Sequence, residues 1–289
     1  MCSLAAVSRA GFYRDWLEQK PDEAEVAIRD SIQRVALKYR QYGYRRITAM
    51  LKREGVAVGE GVVRRIVRTD NLLAVRKRKF VATTDSKHGF TVYSNMAQYV
   101  EVEAINQLWV SDITYIRLGR EFVYLAVVLD VFSRKVVGWE LGRSLNTALP
   151  LAALNRAIAS RNPGPGLVHH SDRGTQYASN EYVSLLESLG ILISMSRPGR
   201  PWENGHCESF MNTLKSEEIN CREYSTLEEL HHNIEDFIER FYNEERLHST
   251  LNYRSPVEFE RAAAASKSQN PGVPITLSFP RHKEIYPDA

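Results

Sequence analysis

Between Leu108 and Leu141 the sequence passes through three apolar stretches rich in β-branched and aromatic residues, at 108–116, 121–130 and 135–141. Turn signals at Leu118-Gly119-Arg120 and Phe132-Ser133-Arg134 separate them, which predicts an antiparallel meander. The pattern then alternates: a helix over Thr147–Ser160, a Pro/Gly loop at 162–166, a strand at 167–171, a helix over Asn180–Leu189, a strand over Ile191–Met195 and a long helix from about Glu203. Three antiparallel strands followed by alternating helices and strands specify an α/β fold, a mixed sheet flanked by helices.

Two carboxylates fall in this sheet where burial makes them costly. Asp112 interrupts the run Trp109-Val110-Ser111-Asp112-Ile113-Thr114-Tyr115-Ile116, and Asp172 closes Leu167-Val168-His169-His170-Ser171. A carboxylate in such a setting needs a metal, a cation or a set of donors, and in mixed sheets ligands gather at strand ends, where Asp172 lies. A third acid, Glu208, sits on the long helix. Asn204, Glu208, Asn212 and Lys215 share one stripe of it, beside an apolar stripe of Cys207, Phe210, Met211 and Leu214. The chain has 35 Asp and Glu residues, so the spacing of these three carries little weight, and a lone helical glutamate is most simply solvated or bonded to Asn212. Its coincidence with two strand acids is what marks it.

Three converging carboxylates are a hard-oxygen donor set suited to Mg²⁺ or Mn²⁺. Two such ions about 3.5 to 4 Å apart activate an attacking hydroxyl and stabilise the leaving oxygen of an in-line displacement at phosphorus. Asp112, Asp172 and Glu208 are therefore the candidate catalytic and metal-ligating residues, and such a site needs no protein nucleophile. His169, His170, His206, His231 and His232 with Cys207 do not have zinc-ligand spacing, since adjacent strand histidines point to opposite faces. His170 and His206 are equally readable as neighbours of the acids or as structural histidines, and Trp109 and Tyr115 as core residues. Neither a Walker glycine loop nor a nucleophile elbow occurs.

The front of the chain reads differently. Residues 21–39 predict a helix with Ala24, Ile28, Ile32, Val35 and Tyr39 on one face, followed by Arg45–Glu54 with Ile47, Met50 and Leu51. Gly55 and Gly59 bracket a turn before Glu60–Asp70, with Val62, Val63, Ile66 and Val67 as a third apolar stripe. Three short helices with a tight joint before the last describe a helix-turn-helix module. Residues 1–100 hold 19 Lys and Arg against 10 acids, whereas the remainder holds 19 against 25, so a basic front half precedes an acidic back half. Between 34 and 79 there are 14 basic residues and three acids. Arg64, Arg65 and Arg68 lie on or beside the outer face of the third helix and Arg76-Lys77-Arg78-Lys79 follow, which points to DNA contact.

The domain boundaries expected are a helical DNA-binding domain at 1–75, a basic linker at 76–104, the mixed-sheet core at 105–262 and a tail at 263–289. No run of about 18 apolar residues predicts a membrane span, and the N-terminus lacks a signal-like apolar region. Cys2, Cys207 and Cys221 form no CxxC pair, which suits a reducing cytoplasm.

At this point the residues carry a family likeness. Trp109-Val110-Ser111-Asp112-Ile113-Thr114-Tyr115, His170-Ser171-Asp172-Arg173-Gly174-Thr175-Gln176-Tyr177 and Glu208-Ser209-Phe210 with Leu214-Lys215-Ser216-Glu217 resemble the catalytic core of bacterial insertion-sequence transposases of the IS-three type. Tyr42-Gly43-Tyr44-Arg45-Arg46-Ile47 resembles the family's helix-turn-helix, and Tyr242-Asn243 to Pro256 its C-terminal block; the likeness covers roughly residues 8–262.

The resemblance implies a ribonuclease H-like, retroviral-integrase-like core whose acids Asp112, Asp172 and Glu208 hold two divalent ions. It adds Arg45, Arg46 and Lys215 to the DNA-contacting residues, Lys215 as the one that meets terminal DNA. It further implies double-stranded DNA as substrate, both terminal inverted repeats and target, a homo-oligomer on that DNA, fusion with or help from an upstream reading-frame product, and a cytoplasmic, nucleoid-associated location. Glu203-Asn204-Gly205-His206-Cys207 departs from the commoner Asp-Asn-Ala version, so no role passes to His206 or Cys207. Two alternatives stand beside strand cleavage and transfer: a DNA-binding repressor or accessory protein with an inactive core, and a ribonuclease H-like nuclease acting on hybrids.

Overall fold

The computed structural model describes residues 23–72, 91–197 and 200–269. The chain divides into two compact units, Met1–Val75 and Arg76–Ala289. The tetrad Arg76-Lys77-Arg78-Lys79 and most of the tail lie outside the described residues.

In the first unit, α1 (Glu23–Lys38), α2 (Tyr44–Arg53) and α3 (Glu60–Thr69) close around Ile32, Val35, Tyr42, Ile47, Leu51, Val63 and Ile66. The helical periodicity thus finds its core, with one difference. Val62 faces outward, because the buried stripe of α3 is Val63, Ile66 and Val67, a narrower arc than the four apolar residues suggest. Gly55 ends the α2 turn with φ of 81°, a left-handed conformation that a Cβ would strain.

The second unit is a mixed five-stranded sheet in the order β3-β2-β1-β4-β5, formed by β1 (Leu108–Leu118), β2 (Glu121–Asp130), β3 (Val136–Gly142), β4 (Val168–Ser171) and β5 (Leu192–Met195). β1 to β3 are the expected antiparallel meander, and β4 and β5 add in parallel. Helices α4 (Ala148–Arg161) and α5 (Asn180–Ser188) cover one face of the sheet, against Trp109, Ala126, Val128 and Ile193. Helices α6 (Gly205–Glu217) and α7 (Leu227–Glu235) cover the other, against Leu108, Val110, Val127 and Leu129. The period-two alternation of strand side chains is what splits the apolar residues into these two cores. At Gly138 the strand presses directly on α4, since a Cβ there would come within 2.2 Å of the Ala153 carbonyl oxygen.

After α7 the helix widens into a π-wound stretch, Asp236–Glu245. It brings Asn243 alongside the edge strand β3, where its side-chain amide both accepts from the Val136 N–H and donates to the Val136 carbonyl, each at 3.0 Å. A final helix α8, Pro256–Gln269, is anchored by Phe259 against Phe132 and by Glu260 against Arg161, and it runs past residue 262, where the sequence pattern placed the start of a tail.

Residues 91–104, aperiodic in sequence, pack onto this unit instead of hanging as a tether. The N–H groups of Met96 and Ala97 donate to Ser194 Oγ at 2.9 and 3.0 Å, and Val100 and Val102 lie against the core. The backbone there is irregular, satisfied by side chains and not by a ladder, so no period marks it.

Candidate active site

The site follows from the register of two neighbouring strands. β1 and β4 run parallel and pair through Val110 and His170, where the pairing stops. Two residues further along each chain come Asp112 and Asp172, near enough for the charge of Asp172 to act on the Asp112 carboxyl. Asp112 accepts a hydrogen bond from the Ile113 N–H at 2.9 Å, and Asp172 one from the Gly174 N–H at 2.9 Å. The Asp112 carboxyl is pushed up to about 7, first by burial, then by the charge of Asp172, with Glu208 adding the smallest push; the Ile113 N–H and the Lys215 ammonium work against them.

Helix α6 lies across this opening. Cys207, Phe210, Met211 and Leu214 pack it down onto the sheet, which leaves Glu208 exposed in the first turn and Lys215 half-buried in the last. Burial draws the Lys215 ammonium below the ordinary lysine range, and the charge of Asp112 pulls it back up. Asp112, Asp172, Glu208 and Lys215 are thus in one electrostatic neighbourhood. They do not form a closed nest: among the described residues no three His, Cys, Asp or Glu side chains are grouped closely enough to hold a metal ion.

Residues to which the sequence pattern gives no settled role hold this neighbourhood in place, and of these Ser111, Tyr182, Ser194 and Arg134 are not singled out by it. Asn204 donates to the Ser111 carbonyl at 2.9 Å, tying the start of α6 to the residue before Asp112. On the opposite face of the sheet, Ser111 Oγ and Tyr182 Oη lie 2.8 and 3.0 Å from His169 Nε2, a fully buried network. His169 is pushed down to about 3, first by burial and then by His170, so its ring is neutral at physiological pH. His170 is likewise neutral, held at about 4 by burial, with Nδ1 2.8 Å from Ser194 Oγ. Since Ser194 Oγ accepts from two backbone N–H groups, its own hydrogen points at His170. His206 meets Arg134 of the β2–β3 turn and is held at about 3, by burial and then by that cation. Cys207 is buried beneath the acids. These partners are non-local, and only the polar residues inside apolar runs hint at them.

Trp109 is fully buried as expected, but Tyr115 is not a core residue. It is 38% exposed near the end of β1, edge-on to Tyr124 at 5.3 Å. β1 outruns β4 there, so no helix covers that face completely.

In the helical unit, Arg64, Arg65 and Arg68 line one shallow depression with Gly61 and Thr69. Arg65 also meets Glu25 at 3.2 Å. Arg45 and Arg64 both lie over the Tyr44 ring, at 5.6 and 5.7 Å from its centre, and Arg46 lies over Tyr42 at 5.5 Å. Among the described residues no helix is long and apolar enough to cross a membrane.

Residues 103–201 and 189–256 match families described as integrase core domain, and residues 22–80 one described as HTH-like domain. The chain is 36% identical over 264 residues to the insertion element IS600 uncharacterized 31 kDa protein of Shigella sonnei, covering 90% of this chain and 97% of that one. It is 32% identical over 270 residues to transposase InsF for insertion sequence IS3A of Escherichia coli (strain K12), covering 90% and 92%. Among solved structures, the simian T-cell lymphotropic virus intasome in complex with PP2A regulatory subunit B56 gamma aligns over 83% of this chain and 80% of that one, with a TM-score of 0.46 and 17% identity.

Proposed function

The chain belongs to the IS3-type transposases of insertion sequences, and we propose from this premise that it binds the ends of its element, cleaves one strand there and joins the freed 3′ hydroxyl to a second phosphodiester. Water oxygen attacks phosphorus in the first step and the 3′ oxygen leaves; in the second, that 3′ oxygen attacks another phosphorus and displaces a 3′ oxygen in turn. Each transfer exchanges one phosphorus–oxygen bond for another, so no covalent enzyme intermediate is needed.

The observation that carries this reading is the register of β1 and β4, which leaves Asp112 and Asp172 each two residues beyond the last pair, Val110 and His170, with the charge of Asp172 acting on Asp112 and with Glu208 and Lys215 on the helix nearby. The donors fit a hard divalent cation. They are oxygen only, and burial, with the charge of Asp172 added to it, pushes the Asp112 carboxyl up to about 7, a cost that nearby positive charge would offset. Asp112, Asp172 and Glu208 would hold Mg²⁺ or Mn²⁺, two ions in all, with the Glu208 side chain moving inward from its exposed position. When bound, the ions supply charge neutralisation at the attacked phosphorus and activation of the attacking oxygen. Lys215 holds the terminal phosphate backbone next to the acids. Asn204 and the Ser111–His169–Tyr182 network keep β1, β4 and α6 in register.

The helical unit of residues 1–75 contacts the terminal repeats through Arg45, Arg46, Arg64, Arg65 and Arg68, assisted by Arg76, Lys77, Arg78 and Lys79. A multimer bridges two ends, with the product of an upstream reading frame as fusion partner or helper, on DNA of the nucleoid.

The test is Mg²⁺-dependent cleavage and joining on a duplex carrying the element end, with Asp112→Asn, Asp172→Asn and Glu208→Gln made singly. Each variant should lose activity while binding the duplex normally. Activity retained in all three would discard the mechanism, and a wild-type protein that binds the duplex but leaves it uncut would favour a repressor or accessory role.

A further inference from the structure

Trp202 keeps 60% of its surface exposed, although an indole is ordinarily drawn into a core. The turn that carries it, Pro201–Asn204, has at its end Asn204, and before it come Ser196 and Arg197, all three bonded to other parts of the unit. Upstream, the Ser196 N–H donates to the Ser171 carbonyl at 2.9 Å and Arg173 Nε donates to the Ser196 carbonyl at 2.8 Å, so the residues on either side of Asp172 hold Ser196. Downstream, Asn204 holds the Ser111 carbonyl beside Asp112. Between them Glu203 accepts from the Arg197 N–H at 2.7 Å, from Arg197 Nε at 2.6 Å and from Asn95 Nδ2 at 2.8 Å. The indole is therefore exposed on a turn whose flanking residues bond to the chain neighbours of both aspartates.

Its surroundings are cationic. The Arg200 guanidinium lies 6.0 Å from the ring centre, and the side chains of Arg197 and Arg200 are 43% and 45% exposed. Both guanidinia approach Glu203, and one carboxylate cannot neutralise two. An exposed aromatic face among arginines suits a nucleic acid strand better than an apolar protein surface.

We propose that Trp202 is a stacking platform for an unpaired nucleobase flanking the phosphodiester presented to Asp112 and Asp172, with Arg197 and Arg200 on the adjoining phosphates; the inference rests on the strand-transfer reading above. The aspartates are half-buried at the ends of parted strands, so a phosphodiester must leave regular duplex geometry to reach them. Its flanking base then loses a stacking neighbour, and the indole supplies a replacement that tolerates any base.

The probe is a duplex of the element's own end with 2-aminopurine at the base flanking the cleaved bond, bound with Ca²⁺ for fluorescence and with Mg²⁺ for cleavage. Wild-type protein should quench the probe by stacking. Trp202→Ala should lose the quench and cleave roughly tenfold more slowly, whereas Trp202→Phe should keep most of both. On a duplex abasic at that position, wild type and Trp202→Ala should cleave alike. An unchanged quench in Trp202→Ala, or a rate gap that persists on the abasic duplex, overturns the proposal. Circular dichroism checks the alanine variant's fold, and the phenylalanine variant gives a second arm. If wild type leaves the end uncut yet quenches through Trp202, the strand-transfer reading fails and the stacking site stands.

Discussion

The side-chain amide of Asn204 donates to the main-chain carbonyl of Ser111 at 2.9 Å, both groups being buried. One hydrogen bond thereby couples the start of the helix that carries Glu208 to the strand residue that precedes Asp112. Removing the donor leaves a buried carbonyl unsatisfied, a loss of about 1 to 3 kcal/mol. Asn204→Ala should therefore lower stability by that amount in urea unfolding and lower single-turnover cleavage by roughly tenfold or more, because the helix that carries Glu208 loses its tie to the strand that carries Asp112. Full cleavage rate in a measurably destabilised variant would show that the bond supports the fold alone.

Asp112 offers a test by pH. Its folded carboxyl is pushed up to about 7, by burial first and by Asp172 next, from an ordinary value near 4. The native state thus binds a proton over that window more tightly than the unfolded chain does, so ionising Asp112 costs stability as pH rises from about 4 to 7. Relative to wild type, Asp112→Asn should be neutral near pH 4 and gain progressively, to an upper bound of about 4 kcal/mol above pH 7. The difference between the two proteins isolates this group from His169, His170 and His206, whose lowered values make both proteins less stable below about pH 6.5. Mg²⁺ should raise the melting temperature of wild type at pH 8 and that of Asp112→Asn much less. A pH-independent difference would remove the uncompensated acid pair from the account.

Much of this was legible in advance. β2 spans Glu121–Asp130 as its apolar run suggests, and the alternation of helices and strands after the meander marks the sheet as mixed. The pairing that brings Asp112 level with Asp172 was not legible, because sequence shows that two acids end apolar runs but not which strands adjoin. Tyr115 misled because strand periodicity assigns a face without saying how far the covering helices extend. Asn243 was visible only inside a block of family likeness. Its pairing with Val136 depends on the π-wound stretch, which swings a side-chain amide to where a sixth strand would otherwise bond the sheet edge.

Arg246 and Glu217 join the end of that π-wound stretch to the end of α6 by two hydrogen bonds, at 2.8 and 2.7 Å, with the side chains only 5% and 8% exposed. Arg246 also lies over Tyr242, 5.8 Å from the ring centre. Removing one member of a buried pair strands the other charge, so Arg246→Met should cost about 3 to 5 kcal/mol. Arg246→Met combined with Glu217→Leu should recover a large part of that loss. Urea midpoints for the two single variants and the double variant measure the coupling, and strict additivity would mean that the pair is not energetically joined.

The arginines of α3 separate a DNA-reading helix from a merely solvated one by their salt dependence. Arg64, Arg65 and Arg68 line one depression, but they are not equivalent. Arg65 already meets Glu25 at 3.2 Å and must give up that exposed pair to reach a phosphate, whereas Arg64 shares the Tyr44 ring with Arg45 and keeps its donors on the surface. Removing one arginine–phosphate pair should make the slope of log affinity against log salt shallower by about 0.9. Arg64→Ala and Arg68→Ala should each show close to that change, Arg65→Ala less, and the triple variant about 2 to 2.5 in all. Titrations of an end duplex and an unrelated duplex from 50 to 300 mM salt separate the terms, because a missing phosphate partner weakens both equally and a missing base partner weakens only the end. Three slopes identical to wild type would leave α3 a solvated face and move end recognition to another part of the chain.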